Sequence, residues 1–301
     1  MRFPSLLFFS FLCIPLLAQN DEADTLYDVY DAVSLNTDSL EATFVYQRGN
    51  VVIADGAATL SLPDSFKFLA GEQARQLVVD LWENPPSISD EIIGVVMYAD
   101  AGAFDERSAF IVYYSPIGFV TDADADGIDY SAMLKDMLKE DSLENASRVE
   151  AGYDPLRLLG WASPPFYDKQ AKVLHWAKEM RSTDSTDHVL NYNVRVLGRR
   201  GVLLINGISS MSRLPIVKQE IASLTGAIAF NDGYRYDQFN EATDEVADWS
   251  VGGLIDGKVK EKMAGVLMLI LKTAAIGLVG LILVVVLILW LVRRSRRSPV
   301  S

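Results

Sequence analysis

The run Leu190–Asn206, LNYNVRVLGRRGVLLIN, limits what this 301-residue chain can fold into more than any other stretch. Leu190, Tyr192, Val194 and Val196 alternate with Asn191, Asn193, Arg195 and Leu197. That period of two belongs to a strand with one face buried. Gly198-Arg199-Arg200-Gly201 supplies a tight turn, and Val202–Ile205 is apolar throughout, as a strand covered on both sides must be. The pair therefore marks the centre of a sheet. Upstream, Pro155–Trp161 and Lys172–Met180 read as further strands beside it. Val173, Trp176, Ala177 and Met180 would also make a helical stripe, but the segment is short and lies between turn residues.

The rest of the chain supplies partners for that sheet. Thr43–Tyr46 and Val51–Ile53 flank Gln47-Arg48-Gly49-Asn50, a hairpin signature, and Ala57–Leu62 is a further strand closed by Pro63. Gly71–Trp82 has helical spacing and stops at Asn84-Pro85-Pro86. Ile92–Tyr98 and Ala109–Tyr114 are strands, and Tyr130–Glu140 is a helix with Met133, Leu134, Met137 and Leu138 on one face. Ser212–Leu224 is a helix capped by Ser212, with Ile216, Val217, Ile221 and Leu224 inward, and Glu241–Gly257 holds a short helix. The expected fold class is α+β: a central, mostly antiparallel sheet with packed helices, like an α/β/α sandwich.

The two ends carry an address. Residues 1–18 join Arg2 to an apolar core from Leu6 to Leu17, with Ala18 before an acidic start, the pattern of a secretory signal peptide. Thr273–Val292 is a charge-free run of 20 residues, about 30 Å as a helix, which matches the hydrocarbon core of a bilayer. Trp290 marks its interface, and Arg293, Arg294, Arg296 and Arg297 place the tail in the cytoplasm. The domain plan is then a signal peptide (1–18), an acidic lead-in (19–42), an exported α+β domain (43–257) and a juxtamembrane segment (258–272). A transmembrane helix (273–292) and a basic cytoplasmic tail (293–301) follow. Such a chain is expected to cross one membrane with its N-terminal domain outside the cytoplasm, which in a bacterium is the inner membrane with the domain in the periplasm.

Charge narrows the partners. With those five basic residues at the ends set aside, the body holds 22 basic against 40 acidic residues, a net of −18. A body this acidic repels nucleic acid and anionic head groups. Cys13 lies inside the N-terminal apolar run, so the mature chain has no thiol for a disulfide, a thiolate metal site or a nucleophile.

Three patterns are candidate sites. Asp122-Ala-Asp124-Ala-Asp126-Gly127 repeats the first half of a calcium-binding loop, but Met133 stands where the bidentate acid belongs. The alternative is an acidic loop capping the next helix. Asn191, Asn193 and Arg195 are candidates to line a groove with Trp161, Tyr167 and Asp168, or else pair across the sheet. His175 and His188 are too few and too far apart to define a centre, and no nucleophile elbow or phosphate loop is present.

Motifs spread over residues 48–257 resemble a bacterial family of membrane-anchored proteins whose domain has no established activity. They are Trp82-Glu83-Asn84-Pro85-Pro86, Gly118-Phe119-Val120, Asn145 with Arg148, Gly160-Trp161-Ala162, Pro165 and Tyr167-Asp168. His175-Trp176-Ala177, the run Leu190–Asn206, and Phe230, Gly233, Tyr234 and Tyr236 complete them. Glu83, Phe119, Ser115-Pro116 and Asp248-Trp249-Ser250 depart from the pattern, as in a divergent member. The resemblance implies topology and no chemistry, and the helix–strands–helix order of the second half is loosely similar to the PsbP-like sandwich. The function expected is a tethered binding or adaptor domain with an envelope protein partner and no cofactor. The alternatives are an envelope-substrate hydrolase using acids such as Asp168, or a calcium-dependent module.

Overall fold

The computed structural model describes residues 41–82, 84, 92–105, 107–182 and 188–258. The strands are β1 (Tyr46–Gln47), β2 (Asn50–Ile53), β3 (Ala58–Ser61), β4 (Phe66–Ala70), β5 (Ile92–Tyr98), β6 (Ala109–Ser115), β7 (Leu156–Asp168), β8 (Val173–Ser182), β9 (His188–Leu197), β10 (Val202–Ser210) and β11 (Ile228–Phe230). The helices are α1 (Gly71–Arg75), which continues as a π-helical turn over Gln76–Leu81, α2 (Tyr130–Glu150), α3 (Leu214–Ala227) and α4 (Gly253–Asp256). Eight strands form one sheet in the order β1-β4-β5-β6-β10-β9-β8-β7, and β11-β3-β2 form a second. Every strand pair in both sheets is antiparallel. The molecule is thus mixed α and β, dominated by a large antiparallel sheet.

Leu190, Tyr192, Val194 and Val196 are buried on one face of β9, and β10 lies between β9 and β6 near the middle of the sheet. On that face Phe68, Val96, Phe110, Val112, Leu203 and Ile205 meet Val217, Ile221 and Leu224 of α3, together with Val51, Ile53, Ala58 and Leu60 of the small sheet. On the other face Leu69, Val95, Ile111 and Tyr113 meet Ala74, Leu77 and Val78 from α1 and its π-helical extension. Both faces are therefore covered along β4, β5, β6 and β10, and these strands read as nearly continuous apolar runs.

Helix α2 is attached differently. Its buried residues are Asp141 and Asn145, both polar. The Asp141 Oδ1 accepts the N–H of Leu158 at 2.9 Å, and the Asn145 Oδ1 accepts the N–H of Leu156 at 2.5 Å. Four helical residues advance about 6 Å and two strand residues about 6.6 Å, so the two spacings coincide. The helix thus satisfies the free N–H groups of the outermost strand, β7, and closes an edge that could otherwise template another chain. Arg148 adds a bond from Nε to the Asp154 carbonyl, 3.1 Å.

Several expectations are corrected. The stretch 43–53 is not a hairpin: β1 pairs with β4 in the large sheet and β2 with β3 in the small one. Gly49, at φ 68°, lies between them and carries the chain from one sheet to the other. The strand β4 was not among those expected. Helix α2 runs on to Glu150, and Leu138 of its expected apolar face is exposed. Ser212 caps no helix; α3 begins at Leu214 with Pro215 in its first turn, and Ile216 is exposed. Within 241–257 the helix is only α4, which ends at Gly257 in the left-handed region. Among the described residues no helix is long and apolar enough to cross a membrane. The signal peptide (1–18), the transmembrane helix (273–292) and the tail (293–301) lie outside the described residues, as does the lead-in as far as residue 40.

Candidate functional site

A cleft of about 500 Å³ opens between α3 and the outer strands of the large sheet. The helix contributes Lys218, Ile221, Ala222 and Thr225, spaced three and four apart so that they form one stripe. The sheet contributes three cross-strand rows. Ser163 shares a row with Ala177 and Tyr192, Phe166 with His175 and Val194, and Asp168 with Val173 and Val196. Residues opposite one another on antiparallel strands point to the same face, so all three rows look toward α3.

A proline pair shapes this wall. Between Ser163 and Phe166 the register of β7 against β8 slips by one residue, and Pro164-Pro165 occupy the bulge. Neither proline donates to the ladder, which is tolerable only at an edge or a bulge. The extra residue turns Phe166 toward the cleft, where it remains 62% exposed. An exposed phenyl ring beside a half-buried imidazole is the strongest apolar feature of the opening. His175 meets the Tyr192 ring edge-on, with centroids 6.5 Å apart. Burial lowers the pKa of His175, and the charge of Asp168 opposes this only in part, so the imidazole is neutral at neutral pH. Asp168 has a local duty as well: its Oδ1 accepts the N–H groups of Gln170 and Ala171 and shapes the β7–β8 turn.

The six residues expected to line a groove do not share one surface. Asp168 faces the cleft, whereas Trp161, Tyr167, Asn191, Asn193 and Arg195 point to the opposite face. There the Trp161 indole donates to the Tyr130 carbonyl at 3.3 Å. Asn193 donates to the Asn191 side-chain oxygen at 2.6 Å, and Arg195 bonds the Asn206 side-chain oxygen at 3.3 Å while its guanidinium lies 4.8 Å from the Trp176 ring centroid. Asn193 and Arg195 are buried; Arg195 pairs across to β10, whereas Asn193 bonds Asn191 of its own strand.

Of the three loop aspartates, Asp122 and Asp126 are held by side chains near the β7–β8 turn. Asp122 Oδ2 accepts from the Tyr167 hydroxyl at 2.9 Å and from Lys172 at 2.7 Å. Burial alone would raise its pKa, but these donors together hold it below the usual range. Asp126 pairs with Lys169. The cap of α2 is Asp129, which accepts from the N–H groups of Ser131 and Ala132. Among the described residues no three His, Cys, Asp or Glu side chains converge as metal ligands would.

The remaining motif residues mostly hold loops. Phe119 stacks on Phe239 at 3.8 Å and leans on Tyr236, and its backbone bridges to Val246. Gly118 has φ 90°, and a Cβ there would lie 2.8 Å from the Glu245 carbonyl oxygen. Arg199 forks onto Asp244, whose pKa falls to about 2 through that bond.

The model of the family DUF2167, described as a protein of unknown function, matches residues 45–289, and the chain belongs to that family. No curated protein matches it. Among solved structures it is similar to cyanobacterial PsbP (CyanoP) from Synechocystis sp. PCC 6803, at 9% identity and a TM-score of 0.36 over 62% of this chain and 92% of that one.

Sequence reasoning noticed His175 and Asp168 but missed Phe166 and Lys218. The available signal was Ser163-Pro164-Pro165-Phe166: a double proline inside a strand run announces a bulge, and an aromatic after it sits where the wall is turned.

Proposed function

We propose that this chain is a single-pass inner-membrane protein whose exported domain holds a ligand in the cleft under α3 and leaves it chemically unchanged. The observation that carries the reading is the condition of His175. It faces an aromatic, half-buried wall yet makes no side-chain hydrogen bond to Ser163 or Asp168, its neighbours in the adjacent rows. A serine is activated by direct contact with its base, and that base by a third group. Here the group that would orient the base, Asp168, turns one oxygen to the β7–β8 turn and makes no hydrogen bond to His175. Exposed aromatic surface with a few polar groups around it is, by contrast, what small-ligand sites present. The apolar run at 273–292 and the arginines after it support the tether, and an envelope protein is the natural recipient of whatever is captured.

A second reading follows from the same rows. Ser163, His175 and Asp168 occupy three successive rows of one face, and a substrate that drew them together would make a hydrolase.

Two measurements test the proposal. A reporter active only outside the cytoplasm should work when fused after Gly257 and fail after Ser301; the reverse would remove the tether as described. The neutral dye N-phenyl-1-naphthylamine should fluoresce with the full-length protein in lipid nanodiscs above the signal of empty nanodiscs, and lose that excess in Phe166→Ala. Retention of the signal would place the binding surface elsewhere.

A further inference from the structure

We infer that the cleft under α3 accepts a short, extended, zwitterionic peptide of about three residues, its amino end at Asp168 and its carboxylate at Lys218. This rests on the reading of the cleft as a binding site and adds the class of ligand.

The direction of α3 fixes where the charges lie. Strand β10 ends beside the start of β9, with Ser210 opposite Val189, and the chain enters α3 there. At its far end α3 leads into β11, whose Phe230 packs against Gly198 in the β9–β10 turn. Lys218 therefore lies toward the row of Ser163 and Tyr192, and Thr225 toward the row of Asp168. Seven helical residues separate Lys218 from Thr225, about 10 Å along the axis. An extended tripeptide spans about the same length. Along the helix axis the Lys218 end of the cleft and the Asp168 row thus lie about a tripeptide apart, with Phe166, His175 and Ile221 between them to receive an apolar central side chain.

The other groups suit a peptide backbone. Neutral His175 offers one donor and one acceptor and Ser163 a hydroxyl, while Thr225, whose hydroxyl donates to the Ile221 carbonyl at 2.9 Å, offers an acceptor. Asp168 keeps its second oxygen for an ammonium group after its first has taken the turn N–H groups. A zwitterion has no net charge, which matters beside a body of net charge −18. A fatty acid or a phosphate ester would meet one lysine and be repelled by the rest.

The test uses the full-length protein and displacement of N-phenyl-1-naphthylamine by Ala-Phe-Ala with free ends. The free tripeptide should displace the dye, and its N-acetyl and C-amide forms should each need at least fivefold higher concentration. Asp168→Asn keeps the turn acceptor and should erase the penalty for N-acetylation alone. Lys218→Gln should erase the penalty for amidation alone. Equal displacement by free and capped forms would overturn the zwitterion, as would failure of all three to displace dye that the cleft still holds; the cleft would then stand as a site for another ligand. A penalty at one end only would overturn a free peptide in favour of a protein terminus. Absence of both dye and peptide binding would overturn the cleft itself.

Discussion

Asn145 on α2 accepts the backbone N–H of Leu156 on β7 through its side-chain oxygen, at 2.5 Å. Its amide also donates to the Asp141 and Leu156 carbonyls, at 2.9 and 3.4 Å. A buried amide so placed welds helix to sheet edge, and removing it orphans a strand N–H. Asn145→Ala should cost about 1–3 kcal/mol, measured by denaturant titration, because an unsatisfied buried donor loses its full desolvation compensation. The neighbouring Leu143→Ala, on the exposed side, should change stability by less than about 0.5 kcal/mol. Equal stability of Asn145→Ala and the wild type would mean that α2 is held by other contacts.

The same helix shows what the sequence could and could not disclose. The strands β9 and β10 were legible because burial imposes its pattern directly on Leu190–Ile205, and β8 because its short length between turn residues outweighed a helical stripe. Asp141 and Asn145 were not, since a polar pair four apart reads as a solvated helix face until the edge strand beside it is known. The stretch 43–53 failed for a related reason. Turn chemistry at Arg48-Gly49-Asn50 is local, whereas the choice between β3 and β4 as partner depends on residues far along the chain. Of the candidate sites, Asp168 was found through its motif. Phe166 and Lys218 converge only because α3 returns over the outer strands, which no periodicity records.

Glu220 should make the fold weaken as pH rises. It is buried on α3 at 7% exposure, receives the Tyr98 hydroxyl, and has Arg213 at 3.4 Å. The Arg107 guanidinium lies over the Tyr98 ring. Burial pushes the carboxyl up from 4.5 to about 7. The folded state therefore holds a proton that the unfolded state releases. The associated stability is complete below pH 4.5 and lost as pH rises through about 7. Glu220→Gln should flatten this slope and gain on the order of 1–3 kcal/mol over the wild type at pH 8. A slope that persists in the variant would assign it to another group.

Asp122 has the opposite sign. Its folded pKa is lowered, so its contribution is present above the unfolded value near 3.8 and disappears as pH falls below it. Lys172→Ala should cost about 1 kcal/mol at pH 7 and less as pH falls below 3.8, followed by thermal melting, the remainder being its contact with the Tyr236 ring. Because Lys172 and Tyr167 already occupy the carboxylate, millimolar calcium should leave the melting temperature unchanged. An upward calcium shift that Asp124→Ala abolishes would restore the loop as a metal site.

Whether the cleft holds its ligand or transforms it is decided by the fate of that ligand. Ala-Phe-Ala should be incubated overnight with the full-length protein, then the retained fraction released by denaturation and weighed by mass spectrometry. The expected result is intact tripeptide, retained by the wild type and lost from Phe166→Ala. Fragments that form with the wild type and vanish with Ser163→Ala would contradict it, and would make the Ser163, His175 and Asp168 rows a hydrolytic centre.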